Sequence, residues 1–386
     1  MGFRRVSVAR SLAVVVVFST LAACGARPTP APSHTLAPPA TLPSPTPSLS
    51  FLPTASPSPP PAHGTFAATG AMSVPRAGEA STILNDGRVL VVGGGSQPAE
   101  IYDPESGAFT TTGTPSSDFV DFAVLLTDGR VLVVGGAGAS QAEIYDPASG
   151  SFSPTGSSSA SRDSGIGTLL LDGRVLVAGG YALQRTYASA EIYDPVTGKF
   201  SPTGPMKAAR TCFTSTRLLD GRVLVAGGSV TGGAVLASAE IYDLSTGKFS
   251  PTGSMNRARA CPTATLLPDG EVLVVGGGTA GDTWEASAEL YDPATGKFSL
   301  TGSMSVGRWA HTETLLLDGR VLITGGDYGG DDLATAEIYD PATGRFSPTG
   351  SMTVGRSSHT AALLDDGRVL IEGGGPEGTS AEIYWP

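Results

Sequence analysis

The dipeptide Asp-Gly recurs seven times at a nearly constant interval. It falls at Asp86, Asp128, Asp172, Asp220, Asp269, Asp318 and Asp366, spaced by 42, 44, 48, 49, 49 and 48 residues. Each copy leads into a largely apolar run that ends in Gly-Gly, as in DGRVLVVGG from Asp86 to Gly94. Ala-Glu-Ile-Tyr follows (Leu for Ile once), with tyrosines at 102, 145, 193, 242, 291, 339 and 384. An Asp-Pro-Ala-Thr-Gly turn or a variant of it then leads to Phe-x-x-Thr-Gly. A single unit of this size cannot bury its apolar face alone, so such units must stack on one another.

Each unit reads as four short strands. The first descends to Asp-Gly, expected as a two-residue hairpin turn. The apolar run is the return strand, buried on both faces. Ala-Glu-Ile-Tyr is the third strand and the Phe-containing segment the fourth. The 52 glycines argue against a helical protein, because Gly weakens helix interiors. Four strands at a period near 48 predict the blades of an all-β, seven-bladed propeller. Phe-x-x-Thr-Gly occurs internally six times, beginning at Phe109, Phe152, Phe200, Phe249, Phe298 and Phe346. A seventh copy, Phe66 to Gly70, precedes the first Asp-Gly, and the chain stops after the last third strand. The N-terminal strand is therefore expected to complete the last blade, with Phe66 buried, and so remove two exposed edges. The propeller would occupy 64–386.

Gly-Gly after the second strand, Tyr-Asp-Pro after the third, an aromatic in the fourth and a following Met-x-x-x-Arg resemble kelch repeats across all of 64–386. Residues 266–277, Leu-Leu-Pro-Asp-Gly-Glu-Val-Leu-Val-Val-Gly-Gly, are similar to the kelch-type domain of galactose oxidase and its bacterial relatives. The chain departs in carrying Phe where eukaryotic kelch units usually have Trp. The resemblance implies a fold, and function only in the sense that most kelch propellers are binding platforms.

Two segments precede the repeats. Arg4, Arg5 and Arg10 lead into an apolar stretch from Leu12 that ends Leu21-Ala22-Ala23-Cys24. This resembles a bacterial lipoprotein signal, residues 1–23, with Cys24 the lipidated residue. Cleavage removes three arginines and no acids, taking the net charge from −11 to −14. Membrane attachment is then expected through the lipid alone, and no basic footprint exists for nucleic acid. Residues 24–63 hold 13 prolines and read as an extended disordered tether. An exported protein, anchored to the cell envelope or surface and acting as a monomer, is the expectation.

One face of the propeller carries the short, uniform Asp-Gly and Asp-Pro turns and reads as structural. The other carries variable links, where recognition is normally placed. Candidate ligand-binding residues there are Tyr181, Arg185, Tyr187, Trp284, Trp309, Asp327, Tyr328, Asp331 and Asp332. Rings that stack on sugar faces beside carboxylates that take hydroxyls suit a glycan; a protein partner would use the same groups. The three aspartates also raise a calcium site. Arg76, Arg162, Arg210, Arg259, Arg308 and Arg356 recur ten residues before Asp-Gly, with Asp118 in the second unit. They are expected near the channel mouth, each capping a neighbouring blade through carbonyls or a carboxylate, with the Glu of Ala-Glu-Ile-Tyr a structural partner inside the blade.

The galactose oxidase resemblance implies copper chemistry only if its donors are present: a Cys linked to a Tyr on the adjacent blade, a second Tyr and two His. Two residues after the arginine stand Cys212, Cys261, Ala310 and Ser358, and next come Phe213, Pro262, His311 and His359. Cys261-Pro262 matches the family's Cys-Pro, whereas the tyrosines are missing. Cys212 and Cys261 could instead form a disulfide across neighbouring blades, and His311 and His359 are channel-mouth candidates. The expected function is a glycan- or protein-binding module without a cofactor; a degenerate oxidase-like enzyme and a structural or adhesion module are the alternatives.

Overall fold

A computed structural model describes residues 62–386, apart from 96–97, 136–139, 282 and 376–377. The signal, Cys24 and nearly all of the tether lie outside the described residues. Seven four-stranded antiparallel sheets follow one another around a ring, with no helix among the described residues. The first blade runs from its inner strand Glu79–Ile83 through Val89–Gly93 and Glu100–Asp103 to the outer strand Ala108–Thr111. Inner strands of successive blades lie side by side, and Glu79–Ile83 also adjoins Thr360–Leu363 of the seventh, which closes the ring.

The return strands are continuously apolar because both of their faces meet a neighbouring blade. Val89 and Val91 pack against Leu364, Leu370 and Ile383 of blade 7. Leu90 and Val92 pack against Val131 and Val133 of blade 2. The core is therefore seven seams between blades rather than one central cluster. Each seam also carries a hydroxyl pair, from Thr69–Tyr102 at 2.8 Å to Thr349–Tyr384 at 2.9 Å.

The seventh blade closes as the sequence predicts. Its outer strand is Thr65–Ala68, paired with Ala381–Trp385 in the register Phe66↔Tyr384. The Phe66 and Tyr384 rings stand 4.8 Å apart, as in the internal blades. Phe66 is half-buried rather than buried, because the outer strand keeps one face in solvent. The Asp-Gly turn also differs from expectation. Leu84 N–H donates to Arg88 O, which makes Asn85-Asp86-Gly87 a three-residue loop. Only Gly87 takes a positive φ, +81°, and Asp86 accepts the Arg88 N–H. This is the bulged hairpin that a type I turn followed by a left-handed Gly produces.

Candidate functional site

The six repeated arginines are 0–1% exposed, so they lie inside the blades and not at the channel mouth. Arg210 is representative. It donates to Gly227 O at 2.8 Å, Ser238 O at 2.7 Å, Ser238 Oγ at 3.0 Å and Glu240 Oε1 at 3.1 Å. Glu240 also accepts the N–H groups of Lys207 and Ala208. The clamp thus ties the link from the preceding blade to the third strand of its own blade, not to a neighbour. The fork of the guanidinium satisfies carbonyls that would otherwise be buried without donors. In blade 2, where Asp118 replaces the arginine, Glu143 is held by the Ser116 N–H and hydroxyl.

Two residues after each arginine the backbone turns left-handed. Ser164, Cys212, Cys261, Ala310 and Ser358 have φ between 50° and 54°, and Gly78 has 69°. The turned units hand hydrogen bonds around the axis: Cys212 N–H to Ser164 O, Cys261 N–H to Cys212 O, Ser358 N–H to Ala310 O and Gly78 N–H to Ser358 O. Repeated strain of this kind in non-Gly residues holds only where surrounding structure imposes it. In this collar Cys212 and Cys261 are joined by a disulfide, with Cα atoms 4.5 Å apart. This separation is at the short end of what a disulfide spans.

In blades 6 and 7 the next residue, just before the inner strand, enters the seam beside the collar. His311 and His359 are each 5% exposed and sit between blades, not in the channel mouth. His311 Nε2 lies 2.8 Å from Thr263 Oγ1, and His359 Nε2 lies 3.1 Å from both Thr312 Oγ1 and Thr324 Oγ1. Burial, with Arg308 for His311 and Arg356 for His359, pushes both imidazoles down to about 3. Glu79 occupies the same place in blade 1. Burial, helped by Glu372, pushes its carboxyl up to about 8, and burial likewise pushes Glu372 to about 7. Glu313, on the inner strand of blade 6, is raised to about 7 by burial too. None of these acids belongs to a clamp, and sequence reasoning passed them over; for Glu313 and Glu372 the signal was an acid on an inner or return strand where other units carry uncharged residues.

Two of the variable links form two-stranded hairpins on the loop face. In blade 3, Tyr181–Ala182 pairs with Arg185–Thr186, and Leu183 at the tip is 89% exposed. Tyr181 is exposed, but Tyr187 is buried at 9% and covered by Arg185, whose guanidinium carbon is 4.7 Å from the ring centroid. Tyr187 therefore packs the base of its loop and offers no ligand surface. In blade 6, Asp327–Tyr328 pairs with Asp331–Asp332. Asp327 accepts the Trp309 indole N–H at 3.0 Å and the Gly330 N–H at 3.3 Å, so both Asp327 and Trp309 are engaged in shaping the hairpin. Tyr328 remains 49% exposed and stands edge-on to Trp284 of blade 5, centroids 6.0 Å apart. Asp331 and Asp332 are exposed beside it. Among the described residues no three His, Cys, Asp or Glu side chains converge to hold a metal ion, and the aspartate trio is split by the commitment of Asp327.

A family model described as the Kelch motif matches residues 164–207, 210–256 and 308–353, which fall on blades 3, 4 and 6. No curated protein sequence matches the chain. Among solved structures, a fungal alcohol oxidase of the AA5 family in complex with copper is similar at 20% identity and a TM-score of 0.68, over 83% of this chain and 76% of that one. At that identity the likeness concerns fold. The residues at the corresponding collar do not fit a copper radical centre: the two cysteines are bonded to each other, and the two imidazoles sit in separate seams against threonine hydroxyls. The chain is a seven-bladed β-propeller in which blades 3, 4 and 6 match the Kelch motif.

Proposed function

We propose that the protein is an exported, lipid-anchored binding module that recognises a glycan on the loop face of the propeller. The observation that carries this reading is the group formed by Trp284, Tyr328, Asp331 and Asp332. Two aromatic rings from adjacent blades stand together beside exposed carboxylates on a rigid frame. A sugar ring needs a flat apolar surface and acceptors for its hydroxyls, and this group offers both. The blade 3 hairpin adds Tyr181 and Arg185 on the same face. Anchoring rests on the Leu21-Ala22-Ala23-Cys24 motif and is independent of the ligand.

A glycan array probed with the full chain tests the reading. Binding of at least one glycan class, weakened about tenfold or more by Tyr328→Ala with an unchanged melting curve, is the expected result. A blank array, or binding indifferent to that substitution, overturns it and moves the assignment to a protein partner.

A further inference from the structure

Three consecutive seams near the axis have the same plan and different occupants. Between blades 5 and 6, His311 meets Thr263, with Val275 ending the return strand. Between blades 6 and 7, His359 meets Thr312 and Thr324. Between blades 7 and 1 the same three positions hold Glu79, Thr360 and Glu372, so the ring closes on two acids.

These acids lack an opposite charge of their own. Arg76 and Arg356 lie nearby, but each is already paired with the glutamate of its blade, Glu100 and Glu382. Glu79 is 7% exposed and Glu372 0%. Among the described residues neither oxygen of the Glu79 carboxylate has a hydrogen-bond partner, nor does Glu372 Oε2. The Glu79 side chain lies on Gly373, the residue after Glu372, where a Cβ would overlap Oε1. Thr360 donates to Glu372 Oε1 at 2.7 Å, and the Ser81 hydroxyl lies against the same carboxylate. A pair of ionised carboxylates in such a place is too costly to persist without a counter-charge or a proton.

We propose that Glu79 and Glu372, with the hydroxyls of Ser81 and Thr360, form a buried site for one hard divalent cation of the calcium class at the seam that closes the ring. The group falls short of three acids, and the hydroxyls make up the donor set. Two carboxylates and two hydroxyls offer six oxygens, which is the lower end of what calcium takes. Two negative charges match a divalent ion, and the absence of sulfur or a free imidazole from the group disfavours zinc and copper. Binding there ties the inner strand of blade 1 to the inner and return strands of blade 7, so it acts on ring closure rather than on ligand recognition.

The test is thermal melting of the full chain after treatment with chelator, then with calcium alone, alongside calorimetric titration and elemental analysis. We expect one calcium per chain, a fall of several degrees in Tm on chelation, and its recovery on addition of calcium. The double variant Glu79→His/Glu372→Thr copies the seam between blades 6 and 7 and is expected to fold and to melt identically with and without calcium. Glu372→Val, which copies Val275 of blade 5, is a second variant that should lose the response. If the unaltered chain takes up no calcium and its melting ignores chelator, the pair holds a shared proton instead and the proposal fails. A calcium response that survives in either variant overturns it as well.

Discussion

In the clamps, Arg210 and Glu240 are buried together, 0% and 2% exposed, and each finds the other. In the seams beside the axis, His311, His359, Glu79 and Glu372 are buried to the same degree and find only hydroxyls or no partner. Both layers lie within the same blades, so depth alone does not set the state of an ionisable group. In the clamp each ionisable group has an opposite one within hydrogen-bond distance. The absence of such a partner drives the imidazoles neutral and leaves the two glutamates to a cation or a proton. The difference follows from chain geometry: clamp partners lie within one unit and are copied with it, whereas seam partners come from neighbouring units and can diverge blade by blade.

Breaking a clamp is the strongest way to test that contrast. Arg308→Ala strands Glu337, which is 3% exposed, and the carbonyls of Gly325 and Thr335. It should cost about 3–5 kcal/mol, the scale of an uncompensated buried charge, read as a shift in urea midpoint. The disulfide is the covalent counterpart on the axial side. Cys212→Ser with Cys261→Ser removes a link across 49 residues and should cost about 2–4 kcal/mol, with intact mass before and after reduction confirming the bond in the unaltered chain.

The smallest expected effect is the most diagnostic of the seams. His311 is held neutral at about 3 in the fold against an ordinary 6.5. Between those values the unfolded chain binds a proton that the folded one refuses, so stability rises with pH across this window. The contribution is complete above about pH 6.5 and is lost as pH falls toward 3. His311→Phe copies Phe213 of blade 4 and should flatten the acid limb of a stability profile while changing the midpoint little at pH 7.5. An unchanged acid limb would show that His311 is already charged in the fold.

The blades, their number and the closing strand were legible because each copy of Asp-Gly, Gly-Gly and Ala-Glu-Ile-Tyr repeats the same local physics. The clamp glutamates were legible for the same reason. Their arginines were misplaced because a residue ten positions before a turn could point to the axis or away from it, and only the left-handed turn two residues later decides. Tyr187 and Trp309 looked like recognition residues because they fall outside the repeat, yet irregular loops need packing of their own. Glu79 and Glu372 stood hidden for a different reason. They are 293 positions apart in the sequence and meet only once the ring is shut.

The closing strand has a mechanical consequence. The described chain enters at residue 62 and at once becomes Thr65–Ala68, the outermost strand of blade 7. Tension carried by the preceding residues falls first on Gly64, which is bonded to Trp385 of blade 7 and to Gly350 at the end of blade 6, and then on the Thr65–Trp385 pair. A sideways pull unzips the four paired residues one at a time, whereas a pull along the strand loads them together in shear. The direction of the load therefore decides how much force the closing strand withstands.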